Sequence, residues 1–248
     1  MSKRSASINF ANCSTSTKQY GLLVNQSKLS KSTKVLYLHG FASGPSSTKA
    51  QYFVKRLNRI NIDAVVPDLN QPTFTDMTLT SQLKIARDCL EQVGQNSKLV
   101  IVGSSMGGLL ATLLAQSLIP IHALVLLAPG FGLPRRWTQM LGSDGLSEWQ
   151  QTGFRDVFHH GLNENAQLKY NFIVDAEKYA TDGLKVNVPT IVFHGKDDDT
   201  VPIEESVEFR KQNPHTVQLE ILDDDHQLIK SLDEIWTKTE LFLEQLQE

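Results

Sequence analysis

The chain predicts an α/β protein built on a mostly parallel, doubly wound sheet of about six strands, and two features carry that expectation. From residue 34 onward, short apolar runs rich in β-branched residues alternate with stretches of helical period. Such alternation joins parallel strands through helices and buries the strands on both faces. At the centre, Leu99-Val100-Ile101-Val102 passes through Gly103-Ser104-Ser105-Met106-Gly107-Gly108 into Leu109-Leu110-Ala111-Thr112-Leu113-Leu114. The first four residues read as a strand. The last six lack a polar face and read as a helix buried almost all round.

The remaining elements follow in order. Val35-Leu36-Tyr37-Leu38 is the first strand and ends at His39-Gly40-Phe41. Thr48 is placed to cap a helix over 49–60, whose apolar stripe is Phe53, Leu57 and Ile60. Ala64-Val65-Val66 makes a second strand, stopped by Pro67. A helix over 79–93 carries Leu79, Leu83, Ala86, Leu90 and Val93 at helical spacing, with Cys89 as a small packing residue. After the central strand and helix, residues 123–128 form a fourth strand ending in Pro129-Gly130. Residues 132–187 then break the rhythm, with aromatic side chains scattered among glycines and polar residues. Strands at 190–194 and 217–222 resume it, with a helix over 203–212 between them and a last helix over 227–246.

Composition excludes several classes. With 248 residues, 40% of them hydrophobic, the chain holds one sizeable core with room for a small insertion. A net charge of −3 gives no reason to expect nucleic-acid binding. Charge is unevenly placed, because residues 1–62 contain no Asp or Glu at all. Two cysteines, Cys13 and Cys89, offer no disulfide framework, which fits a reducing, cytoplasmic setting. No apolar run is long enough to span a membrane. Residues 1–33, rich in Ser, Thr, Asn and Lys, read as a loose extension, with Tyr20-Gly21-Leu22-Leu23-Val24 as a candidate edge strand. Their lack of acids also admits an organelle-targeting segment, although only one arginine falls in the first thirty residues.

The chemistry gathers at strand ends, where this sheet type places its ligands. Gly103 and Gly107 flank Ser105 in a G-x-S-x-G pattern between strand and helix, and glycine removes the side-chain collisions of so sharp a turn. Such a turn lifts the serine oxygen above the sheet, beside the first free amides of the helix. A serine nucleophile needs a base, and the base needs an acid to fix its tautomer. His226, directly after the last strand, is the candidate base. Asp197, Asp198 and Asp199, after the fifth strand, are the candidate acids. These three and Asp223, Asp224 and Asp225 lack the interleaved glycine and ligand period of a calcium loop, so they read as a solvated acidic rim and no metal is expected.

Taken together, Tyr37-Leu38-His39-Gly40-Phe41-Ala42-Ser43-Gly44-Pro45, Gly103-Ser104-Ser105-Met106-Gly107-Gly108, His194-Gly195-x-x-Asp198-x-x-Val201-Pro202 and Asp225-His226 resemble the α/β-hydrolases. Within that superfamily the chain looks like the small single-domain bacterial esterases of the YqiA/YcfP-like group. The likeness covers about 34–248. It implies an α/β-hydrolase fold with a small cap insertion at about 132–187, and a Ser105, Asp198, His226 triad in this fold's chain order. It also implies an oxyanion hole made by the backbone N–H groups of Phe41 and Met106. His39 is expected to bond within its own loop. The expected activity is cleavage of a small-molecule carboxylic ester, or a thioester, with an apolar acyl group and without a cofactor. A thioesterase or amidase on the same triad, or a non-catalytic binding protein of this fold, are the alternatives.

An insertion between the fourth and fifth strands opens over the catalytic face. Trp137, Trp149 and Phe154 are accordingly expected to line an acyl pocket, with Arg135 and Arg136 near an anionic group of the substrate.

Overall fold

The computed structural model describes residues 29, 32–92, 97–179 and 183–246. The Tyr20 to Val24 patch, Cys13, Val93 and nearly all of the 1–33 extension lie outside the described residues.

Six strands form the central sheet: β1 (Thr33–Leu38), β2 (Asp63–Val65), β3 (Lys98–Ser104), β4 (Ala123–Leu127), β7 (Thr190–Gly195) and β8 (Val217–Leu222). Their order is β2-β1-β3-β4-β7-β8, and every pair is parallel. Leu124 and Leu126 of β4 point to one face, and Ala123, Val125 and Leu127 to the other. A strand buried on both sides needs this unbroken apolar run. Helices α1 (Thr48–Arg59) and α7 (Leu232–Gln245) cover one face through Phe53, Leu57, Ile235, Trp236 and Phe242. Helices α2 (Leu79–Glu91), α3 (Met106–Ala115) and α6 (Ile203–Gln212) cover the other, with Leu83, Leu109, Leu110 and Phe209 among the buried contacts. Cys89 is half-buried against that second core.

Chain direction across the sheet reverses between β1 and β3, since β2 lies to one side of β1 and every later strand to the other. Crevices at the carboxyl ends of strands open at such a reversal. Gly40-Phe41 follows β1 there and Ser105 follows β3.

Between β4 and β7 stand α4 (Leu133–Thr152), the antiparallel pair β5 (Phe154–His159) and β6 (Glu164–Lys169), and α5 (Asn171–Ala176). Trp149 fastens this insertion: it is buried and its indole N–H donates to the Leu168 carbonyl at 3.0 Å. Among the described residues no helix is long and apolar enough to cross a membrane.

Two element boundaries near the site differ from expectation. Ser47, not Thr48, precedes α1. The last helix begins at Leu232 rather than at 227, because Asp224 and Asp225 first hold the chain in a turn. The Asp224 carboxylate accepts from the Asp225 and Ser231 amides, that of Asp225 accepts from the Gln227 amide, and Leu228 takes a left-handed φ of 54°. That turn carries His226.

Candidate active site

Ser105 sits on the turn from β3 into α3 with φ 52° and ψ −116°. A non-glycine residue held there costs about 1–3 kcal/mol and needs strong neighbouring contacts to persist. Those contacts are tight. A Cβ on Gly107 would lie 2.0 Å from the Leu38 carbonyl oxygen, and one on Gly103 would lie 2.4 Å from that of Gly107. Glycine therefore lets helix α3 press directly onto β1 and β3.

The Ser105 hydroxyl lies 3.1 Å from His226 Nε2, and His226 Nδ1 lies 2.7 Å from Asp198 Oδ2. With Nδ1–H donating to the carboxylate, Nε2 is left to accept the serine proton. Asp198 is itself fully engaged. Its Oδ1 accepts from the amides of Thr200 and Val201, and its Oδ2 also lies 3.1 Å from His194 Nε2. Burial alone would raise this carboxyl, but the hydrogen bonds from His194, His226 and the Val201 amide outweigh it and hold Asp198 well below the ordinary carboxylate range. Asp197 and Asp199 are exposed.

The Met106 amide opens α3, where intrahelical partners are lacking. Phe41 begins the turn after β1, and a Cβ on its neighbour Gly40 would come within 3.4 Å of the Ser105 Cβ. Among the described residues neither the Phe41 nor the Met106 amide has a protein acceptor. Both N–H groups are thus available beside Ser105. His39 bonds within and next to its own loop: Nδ1–H donates to the Gly40 carbonyl at 2.9 Å, and Nε2 accepts from the Leu69 amide at 3.0 Å. Burial holds its imidazole below the usual range.

A cavity of about 770 Å³ opens over Ser105. Its apolar lining comes from Phe41, Val157, Phe158 and Ile229, and part of its polar lining from Ser46, Ser47, Thr48 and Lys49. The expectations for the insertion need correction here. Trp137 and Trp149 face away from this cavity into an aromatic cluster. Trp137 packs tilted against Trp149, with ring centroids 5.4 Å apart, and meets the Phe41 ring edge-on at 5.2 Å. Phe154 lies exposed against Lys169. The indole N–H of Trp149 is anchored on the Leu168 carbonyl and Trp137 packs beside it, so the hairpin residues Val157 and Phe158 reach the cavity instead. Arg136 is held by Glu205, which also accepts from the Gly132 amide at 2.8 Å. Arg135 lines a separate cleft of about 250 Å³ floored by Phe131 and Phe209. Neither arginine lines the Ser105 cavity.

Two residues contribute in ways that the sequence pattern did not assign. His194 is wholly buried, with Nδ1 accepting from Ser206 at 2.7 Å and Nε2 near both Val201 O and Asp198. Lys49 is nine-tenths buried beside His226. Lys49 was detectable, since it shares the i, i+4, i+8 stripe of Phe53 and Leu57 and so falls on the buried face of α1. Among the described residues no three His, Cys, Asp or Glu side chains converge to hold a metal ion.

The parallel six-stranded sheet with its flanking helices is the α/β-hydrolase fold. The chain belongs to the Uncharacterised protein family (UPF0227), whose family model matches residues 34–243. No curated protein matches the sequence. Among solved structures, the chain is similar to Est1E from Butyrivibrio proteoclasticus with ferulic acid bound, at 23% identity and a TM-score of 0.73 over 87% of this chain and 90% of that one. It is similar to mouse alpha/beta hydrolase domain-containing protein 10, at 20% identity and 0.68 over 84% and 88%. A monoacylglycerol lipase from Paleococcus ferrophilus shares 14% identity and 0.64 over 86% and 94%. At these identities the likeness is one of fold.

Proposed function

We propose that this protein is a serine hydrolase that cleaves carboxylic esters through an acyl-enzyme on Ser105. The observation that carries the reading is the continuous relay from Ser105 Oγ to His226 to Asp198, at 3.1 and 2.7 Å, at the mouth of a cavity. Ser105 attacks the ester carbonyl carbon while His226 Nε2 takes its proton. The carbonyl oxygen becomes an anion, stabilised by the amides of Phe41 and Met106. His226 then returns the proton to the departing alkoxide, leaving the acyl group on Ser105. Water, losing a proton to the same nitrogen, releases the acid and restores the serine. Asp198 keeps the imidazole in the tautomer that both half-reactions need. The chain's own groups supply every step, so no cofactor enters the scheme.

The wall of Phe41, Val157, Phe158 and Ile229 supports an apolar acyl group. The ferulic acid in Est1E and the lipase assignment of the Paleococcus structure fit an ester substrate.

The test combines a fluorophosphonate probe, with mass-spectrometric location of the adduct, and matched ester, thioester and amide substrates. The expected result is a single adduct on Ser105 and hydrolysis of esters ahead of amides. A thioester preference moves the substrate class and keeps the mechanism. An unlabelled Ser105 with no hydrolysis returns the protein to the non-catalytic alternative.

A further inference from the structure

Lys49 carries a charge in a place where charge is costly. Its side chain sits on the second residue of α1, is 8% exposed, and lines the same cavity as Ser105. An ammonium withdrawn from water costs several kcal/mol unless it is compensated. Compensation here comes from the two loops that hold the relay. The Lys49 Nζ lies 3.5 Å from the His226 carbonyl oxygen, and the charges facing it are Asp198 from the loop after β7 and Asp224 and Asp225 from the loop after β8. His160 of the hairpin turn lines the cavity as well.

The two loops are already packed against each other. The Asp197 amide donates to the Asp224 carbonyl at 3.1 Å, and a Cβ on Gly195 would lie 2.3 Å from that same oxygen. On its other flank the His226 segment faces the open cavity, and there the contact is with Lys49.

We propose that Lys49 is a positioning residue: its ammonium grips the His226 carbonyl and holds the imidazole in register between Asp198 and Ser105. The role rests on the hydrolase reading and concerns the same site. A charged donor makes a hydrogen bond about twice as strong as a neutral one, so the grip works in the protonated state. Burial pushes the Lys49 ammonium down to about 8, against the opposite pull of Asp198, Asp225 and Asp224. The grip should therefore loosen within an accessible pH range.

The experiment measures the rate at which a fluorophosphonate labels Ser105 between pH 6 and 9.5, corrected for breakdown of the reagent, in wild type, Lys49→Met and Lys49→Arg. Methionine keeps the length and removes the costly charge, and arginine keeps the charge throughout the range. Expected are a wild-type rate that falls above pH about 8, and a K49M rate roughly 10- to 100-fold lower at pH 7 with no break there, the scale of a small misplacement of a catalytic group. K49R should recover most of the rate at pH 7 and show no fall near pH 8. A K49M rate equal to wild type, or the same alkaline break in K49R, overturns the role of Lys49 while leaving the reactive serine standing. If K49M does not fold, the K49R profile decides alone. No labelling of the wild-type protein at any pH removes the hydrolase reading, and the Lys49 role falls with it.

Discussion

His194 and His226 meet on one oxygen: Asp198 Oδ2 lies 3.1 Å from Nε2 of the first and 2.7 Å from Nδ1 of the second. The carboxylate is thereby fixed in its plane by a histidine that never approaches the cavity. Replacing His194 by Phe should slow ester turnover about 10- to 100-fold with little change in KM, because only the aim of Asp198 is disturbed. The buried Ser206 hydroxyl would lose its acceptor, at a cost of about 1–3 kcal/mol in stability. Steady-state kinetics beside urea unfolding check this. A loss as large as that of Asp198→Asn would mean that His194 does more than aim the carboxylate.

Ser105→Ala should fold normally and lose at least about 10⁴-fold in turnover, the scale on which relay members act in serine proteases. Ser104, the last residue of β3, is buried in the strand and one position short of the turn. Ser104→Ala should retain substantial activity. Rates for the two variants on one ester settle the comparison, and the reverse order would relocate the nucleophile.

Chain-length selectivity should belong to the hairpin. Phe158→Ala is expected to flatten the preference for acyl chains of several carbons over acetate. Trp137→Ala should leave that preference intact. Instead it should cost about 2–3 kcal/mol of stability and lower kcat, because Trp137 packs on the ring of Phe41, whose amide belongs to the proposed oxyanion hole. A profile flattened by Trp137→Ala alone would restore the acyl pocket to the aromatic cluster.

Gly107→Ala should be among the most damaging single-methyl additions in the chain. Its Cβ would meet the Leu38 backbone at 2.0 Å, whereas one on Gly44 meets nothing within 4 Å. Moving strand and helix apart costs about 3 kcal/mol or more. Guanidinium unfolding should show that loss for Gly107→Ala and less than about 1 kcal/mol for Gly44→Ala. Equal midpoints would contradict the close packing of α3 on β1.

His39 should make the fold sensitive to mild acid. Burial holds its folded form below the ordinary value of 6.5, so below that pH the unfolded chain takes a proton that the native one refuses. Its contribution is present above pH 6.5 and is lost as pH falls toward the lower folded value, with a slope of up to about 1.4 kcal/mol per pH unit. His159, also depressed by burial, adds a slope of the same sign. His39→Gln should therefore reduce, without abolishing, the fall in urea midpoint between pH 7.5 and 5.5. An unchanged slope would show that His39 is not the group responsible.

The order of elements was legible in the residues because each depends on local pattern. Both-sided apolar runs make parallel strands, and the run after Gly108 has no face that tolerates water. The spacing of His194-Gly195-x-x-Asp198 and the placing of His226 after the last strand pointed to candidates that the fold brings within hydrogen-bond distance. Tertiary structure decided what depends on contacts between distant segments. Trp137 lines a cavity or packs against Phe41 according to where α4 docks, and no local period records that. Lys49 looks like an ordinary surface lysine until α1 is laid against the His226 loop, 177 residues away. The second histidine on Asp198 is a local contact, four residues away, but it forms only where the turn after β7 folds the carboxylate back over His194. Sequence by itself determined which residues are candidates for the chemistry; the packing of loops and insertion onto the sheet decided which neighbours hold them in place, because burial and aim are set by the whole chain.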